Sequence, residues 1–275
     1  MTRDEEIKYV FANKNLIASK KKNAIKRGDI IAFSPIAEEN TNKEVVKAGV
    51  DLSAMDMDTL RAKLIINTTN VIDSHMDCHI PGIWTKTLSE SKTLYLLQEH
   101  EMEFDKIISD SVNDSLLAGA ESISWKKLGY PYNGKTEALI FDVQIKKDVN
   151  EYMFNLYKKG RVLNHSVGMR YVKMFLCIDS DDAYYSAEKE AWNKYYPMVM
   201  NKEIADEKGY FWAVTEAKVI EGSAVVKGSN EFTPVMEIEI EKQAEQSLEI
   251  PEPTIEVTQT SEIEKQLLQN LLNKF

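Results

Sequence analysis

Residues 137–145 alternate strictly: Ala138, Ile140 and Asp142 interleave with Leu139, Phe141, Val143 and Ile145. A repeat of two sends successive side chains to opposite faces, so this stretch demands sheet neighbours and a core against one face. The residues downstream fit a layered domain. Residues 149–159 place Tyr152, Met153, Leu156 and Tyr157 at helical spacing, and Gly160 stands where a helix commonly stops. Residues 161–178 read as a long strand or hairpin, 186–203 as helix with Trp192 and Tyr195 on one side, and 211–226 as a last strand or strand pair. Upstream, 64–71 is strand-like and 93–98 is a short apolar run leading to His100. Strands dominate with helices between them, which predicts an α+β domain on an antiparallel sheet or barrel.

The chain has 275 residues, 43% of them hydrophobic, enough to bury a real core in one or two domains. No apolar run reaches the roughly 18 residues that span a bilayer, and the charged start shows no secretory signal. Cys78 and Cys177 provide no disulfide framework and fit a reducing compartment. The net charge of -10 argues against broad nucleic-acid binding, but it is unevenly placed. Residues 231–275 hold ten Glu and three Lys, a net of -7. Pro251 and Pro253 lie there among Glu, Gln, Thr and Ser, so 237–260 reads as a flexible linker. Ser261 and Glu264 then form a capping-box pattern before Ile263, Leu267, Leu268, Leu271 and Leu272, an amphipathic helix that docks on its own domain or on a partner. The division expected is 1–60 as a partly irregular N-terminal segment, 61–235 as the main domain and 236–275 as acidic linker and helix. Lys20, Lys21, Lys22, Lys26 and Arg27 read as a solvated charge run.

Only four histidines are present: His75, His79, His100 and His165. Asp73, His75, Asp77, Cys78 and His79 gather five potential metal ligands within seven residues. In an extended strand 73, 75, 77 and 79 share a face, so a metal site and a polar turn before Pro81-Gly82 are both open readings.

His165 beside Ser166 invites a nucleophile and base pairing, but adjacent strand residues face opposite ways. Leu163, His165, Val167, Met169 and Tyr171 form an apolar face, making His165 a core histidine. Asn164, Ser166, Gly168 and Arg170 form the other. There Gly168 leaves room for a substrate backbone, and Arg170 can reach charge developing near Ser166. A base for Ser166 must come from elsewhere. His100, at the end of its apolar run, is the available imidazole, and an unperturbed imidazole, with a pKa of roughly 6.5, suits general base work near neutral pH. Glu216 and Glu221 on the last strand are candidates to orient it.

Taken in chain order, these segments resemble the prohead maturation proteases of tailed bacteriophages. Asn67-Thr-Thr-Asn70-Val-Ile-Asp73-Ser-His75-Met-Asp77-Cys-His-Ile-Pro-Gly82-Ile-Trp84 resembles that family's N-terminal motif. Leu96-Leu-Gln-Glu-His100 resembles the strand that delivers its catalytic His. Asn164-His165-Ser166-Val167-Gly168-Met169 resembles the strand with its nucleophile, and Ile220-Glu221-Gly-Ser223-Ala-Val225 with Gly228-Ser-Asn230 resembles its Glu-x-Ser-x-Val segment. The match covers about residues 60 to 235, and His165 departs from the small or apolar residue usual there.

The resemblance implies an antiparallel β-barrel flanked by helices, related to the herpesvirus assemblin proteases. It implies a serine endopeptidase needing no cofactor, with Ser166 as nucleophile, His100 as general base and Glu221 as third member, Glu216 being the runner-up. Gly168 and Arg170 would serve the oxyanion and substrate. The implied substrates are the scaffold, the major capsid protein and the enzyme itself. The implied setting is the immature capsid in the bacterial cytoplasm, with activity tied to assembly or oligomerisation and no nucleic-acid or membrane partner. Two other classes remain: an inactive protease-fold assembly protein, and a metal-dependent hydrolase on Asp73, His75, Asp77 and His79.

Overall fold

The computed structural model describes residues 1–26, 51–90, 93–112 and 115–226, with the backbone alone of 44–46 and 235–240. The chain divides into two units, Met1–Glu241 and Lys242–Phe275, and the second, with the terminal helix expected at 261–275, lies outside the described residues. The strands are β1 (Glu44–Val46), β2 (Thr59–Thr68), β3 (Asp77–His79), β4 (Tyr95–Gln98), β5 (Ile107–Asp110), β6 (Leu116–Ser124), β7 (Lys135–Lys146), β8 (Asn164–Ile178), β9 (Tyr210–Val225) and β10 (Val235–Ile240). The helices are α1 (Arg3–Ala12), α2 (Lys14–Asn23), α3 (Thr85–Ser89), α4 (Glu151–Lys158), α5 (Ser186–Tyr195) and α6 (Lys202–Lys208).

One sheet runs β1-β10-β2-β7-β6, antiparallel throughout. In the other, β9 pairs antiparallel with β8 along one edge, while its opposite edge takes β3 and β4 as parallel neighbours, with β5 beyond β4. The expected mixture of α and β is present, but the expected barrel is not. Among the described residues the strands form two open sheets facing each other across a shared core. Leu64 and Ile66 of β2, Leu139 and Phe141 of β7, Leu96 of β4, Val167 and Met169 of β8 and Val219 and Ala224 of β9 meet there. The alternation at 138–145 supplies β7 with that inward row.

Gly222 of β9 shows how tightly the sheets approach. A Cβ there would lie 2.7 Å from Phe141 Cε2 and 3.2 Å from Ile66 Cδ1, both on the opposing sheet. Gly222→Ala is expected to cost ~1–3 kcal/mol through overpacking. A chemical denaturation midpoint equal to wild type would show that the sheets yield freely.

The N-terminal residues are more ordered than expected. Thr2 and Glu5 form a reciprocal capping box at the start of α1. Ile7 and Val10 then pack against Leu176, Ile178, Tyr210 and Trp212. The basic run is only partly solvated. Lys21 Nζ donates to Asp77 Oδ1 at 2.5 Å and to the His75 carbonyl at 2.8 Å, and Lys26 Nζ lies 3.5 Å from Asp77 Oδ2. The Lys26 and Met169 backbones exchange two hydrogen bonds, so Lys26 covers part of the outer edge of β8. At the far end, 237–240 is strand rather than linker. Its Glu-Ile-Glu-Ile alternation places Glu237 opposite Lys63 and Glu239 opposite Arg61 in the β10–β2 register.

Candidate active site

The β8–β9 register builds the site. Ser166 stands opposite Ser223, and Gly168 opposite Glu221. Directly opposed residues of an antiparallel pair share a face, with Cα atoms about 4.5–5.5 Å apart. One residue along, His165 opposes Ala224 and Val167 opposes Gly222, and this face points into the core. His165 and Ser166 are therefore separated by the sheet, as the strand periodicity predicts. His165 is fully buried, its Nε2 2.7 Å from Tyr157 Oη and its ring stacked on that tyrosine, and burial holds its pKa down at about 3.

His100 arrives by a different route. The parallel pairing of β4 with β9 sets Leu97 beside Ser223 and Gln98 beside Ala224, and the Glu99 N–H continues it to the Ala224 carbonyl at 2.9 Å. Glu99 and His100 then both adopt left-handed backbone, φ 50° and 62°, and the Glu101 N–H closes the turn on the Gln98 carbonyl. Such conformations cost non-glycine residues on the order of 1–3 kcal/mol each and persist where surrounding contacts enforce them. Here the enforcing contacts are polar. The His100 N–H donates to Ser223 Oγ at 3.1 Å, and His100 Nδ1 lies 2.7 Å from Glu221 Oε1. Ser223 Oγ–H donates to Glu221 Oε2 at 2.6 Å.

These bonds define the imidazole. A carboxylate only accepts, so the shared proton resides on Nδ1, and in the neutral imidazole that leaves the lone pair on Nε2. Nε2 is buried and makes no hydrogen bond among the described residues. A base in a resting site often meets its nucleophile only when substrate tightens the geometry. Ser166 is 3% exposed and lies on the same face of the sheet as Glu221 and Ser223.

Gly168 serves a different purpose from the one its place in the sequence suggests. The space over it is filled by Glu221: a Cβ at 168 would overlap Oε1 and fall 2.7 Å from Cδ. The glycine admits the acidic side chain, not a substrate backbone. Glu216 is elsewhere, opposite Lys173 in the ladder and paired with Lys86 Nζ at 3.0 Å. Of the two glutamates, Glu221 is the one that meets His100. Arg170 is exposed and stands opposite Lys218.

The metal-ligand cluster does not assemble. Among the described residues, no three His, Cys, Asp or Glu side chains stand together as a metal site. Asp77 is held by Lys21, Lys26 and the Tyr171 hydroxyl, Asp73 accepts from the His75 and Asp77 N–H groups, and His75 is exposed. His79 is buried between Asn67 Oδ1 at 2.9 Å and Tyr171 Oη at 3.1 Å. The cluster is a polar core that ties α2 and Lys26 to β3.

This core has a pH signature. Burial holds His79 at about 4, while burial and the neighbouring Asp77 charge push Asp73 up to about 7. Unfolded imidazoles take up a proton below roughly 6.5, so unfolding at pH 5 binds two protons through His79 and His165. Asp73 opposes them: protonated in the fold below about 7, it releases its proton on unfolding above its ordinary 3.8. One proton is bound net, so stability is expected to fall by roughly 1.4 kcal/mol per pH unit as pH drops from about 6.5 to about 4. Urea titrations across that window measure it, and a flat profile would contradict two neutral buried histidines.

No protein-family model, curated protein or solved structure matches this chain.

Proposed function

We propose that the chain is a serine endopeptidase of the phage prohead maturation type. It would act inside the immature capsid in the bacterial cytoplasm on the scaffold, the major capsid protein and itself. The observation that carries this reading is the 2.7 Å contact of His100 Nδ1 with Glu221 Oε1, which leaves Nε2 without a hydrogen bond among the described residues, while Glu221 shares its strand-pair face with Ser166. Support also comes from the order of the motifs around His100, Ser166 and Glu221. The two facing sheets with flanking helices are read as a divergent relative of the assemblin architecture.

In this mechanism Ser166 Oγ attacks the peptide carbonyl and its proton passes to His100 Nε2. The Glu221 carboxylate stabilises the imidazolium that forms. Backbone N–H groups hold the oxyanion, and exposed Arg170, four residues along the same strand face, would add longer-range positive charge. The imidazolium then protonates the leaving amine, and water completes hydrolysis of the acyl-enzyme by the same base.

The test is co-expression of the chain with its capsid and scaffold proteins, followed by intact-mass spectrometry. Shortened partner or self products that vanish in His100→Ala support the reading. Full-length masses throughout, including in assembled proheads, favour an inert assembly protein. Cleavage that a chelator stops and His100→Ala leaves intact would point to metal chemistry.

A further inference from the structure

We infer that Ser223 is a positioning residue that sets both the acid and the base of this site. The inference rests on reading His100 as the base and Glu221 as its partner.

Ser223 lies on β9 two residues beyond Glu221, on the same face, and is fully buried. Its hydroxyl does two things at once. The Oγ–H donates to Glu221 Oε2 at 2.6 Å, and the Oγ lone pair accepts the His100 backbone N–H at 3.1 Å. A glutamate held at one oxygen can still rotate about its last torsion, which is broad and soft. Oε1 is fixed by His100 Nδ1 and Oε2 by Ser223, so the carboxylate plane is held at both ends. The backbone bond also holds the left-handed turn at Glu99 and His100, which presents the imidazole. One hydroxyl thus references a flexible acid and a strained turn to a single strand. A serine that merely satisfied a buried polar group would leave the imidazole proton undisturbed when removed.

Removing it is expected to loosen the Nδ1–Oε1 contact while leaving the ladder paired. The probe is the His100 Nδ1–H proton, which a carboxylate partner moves to low field in the NMR spectrum. It is assigned by its absence in His100→Ala. In Ser223→Ala the resonance is expected to move upfield or broaden through exchange. With a capsid-derived peptide, kcat is expected to fall about 10- to 100-fold with KM within about twofold, the pattern of a lost transition-state interaction. Ser223→Thr keeps the hydroxyl and is expected to keep the resonance, and it carries the test if the alanine variant does not fold. An unchanged resonance and unchanged kcat in folded Ser223→Ala overturn the inference, as does loss of the resonance in folded Ser223→Thr. The NMR result stands without turnover: a Ser223-dependent resonance in a chain that cuts nothing supports the positioning role and counts against the protease reading alone.

Discussion

If the proposed endopeptidase reading holds, a Ser166→Ala chain is expected to leave the capsid protein and itself uncut, with cleavage reduced at least about a thousandfold. The substitution removes one oxygen from a residue with 3% exposure, inside a stretch of β8, Asn164 to Gly168, whose residues are paired in register with β9. The fold should therefore survive, with a change in stability of about 1 kcal/mol. His100→Ala should fall to a similar residual rate. The double variant should be no worse than either single one, because nucleophile and base act as one unit. Intact-mass spectrometry on the three co-expressed chains reads all of this together. Normal trimming by Ser166→Ala would remove the nucleophile from the proposal outright.

Gly168→Ala is expected to be nearly as damaging without touching any group that takes part in bond making. Gly168 lies in extended β8 with no positive φ, so alanine has no backbone objection to the site. The effect comes from the overlap of the new methyl with Glu221 Oε1, the oxygen that faces His100 Nδ1. The carboxylate has to swing away, and both of its hydrogen bonds go with it. Misplacing a catalytic group by about 1 Å can cost 100-fold, so cleavage is expected to fall at least about 100-fold. Stability should drop by ~1–3 kcal/mol from overpacking beside a buried polar group. Shortening the acid relieves the clash. In the Gly168→Ala background, Glu221→Asp should therefore restore part of the activity, whereas alone it should reduce it. Strict additivity of the two substitutions would show that Gly168 and Glu221 do not compete for the same space.

The parts of the site that were legible in the sequence are those governed by strand periodicity. That His165 faces the core and Ser166 does not follows from a repeat of two, and the β8–β9 register agrees. What lies across from a residue is a different matter, because periodicity is silent about the neighbouring strand. Gly168 therefore looked like open space, although the register fills that space with Glu221. The meeting of His100 with Glu221 joins residues 121 positions apart through a parallel pairing that no local pattern encodes. Only the order of the motifs hinted at it. Ser223 carried a readable signal, since Glu221 and Ser223 at i and i+2 must share a strand face. The N-terminal helices were obscured because α1 buries only Ile7 and Val10, although the Thr2–Glu5 capping box was there to be read. In β10 the acidic composition hid an alternation of Glu and Ile that pairs with β2.

The parallel docking of β4 against β9 also sets a clock. His100 is made early and Glu221 late, and the strand that joins them is among the last of the domain to leave the ribosome. At synthesis rates of roughly 5–20 residues per second, the intervening chain takes about 6–24 s to appear. Non-local pairing of this kind then closes more slowly than local turns and helices. Ser166 follows His100 by 66 residues, so over the last 55 of those 121 residues the chain holds both but not yet Glu221. On the proposed reading, a nascent chain therefore lacks an assembled centre with which to cut its neighbours on the polysome.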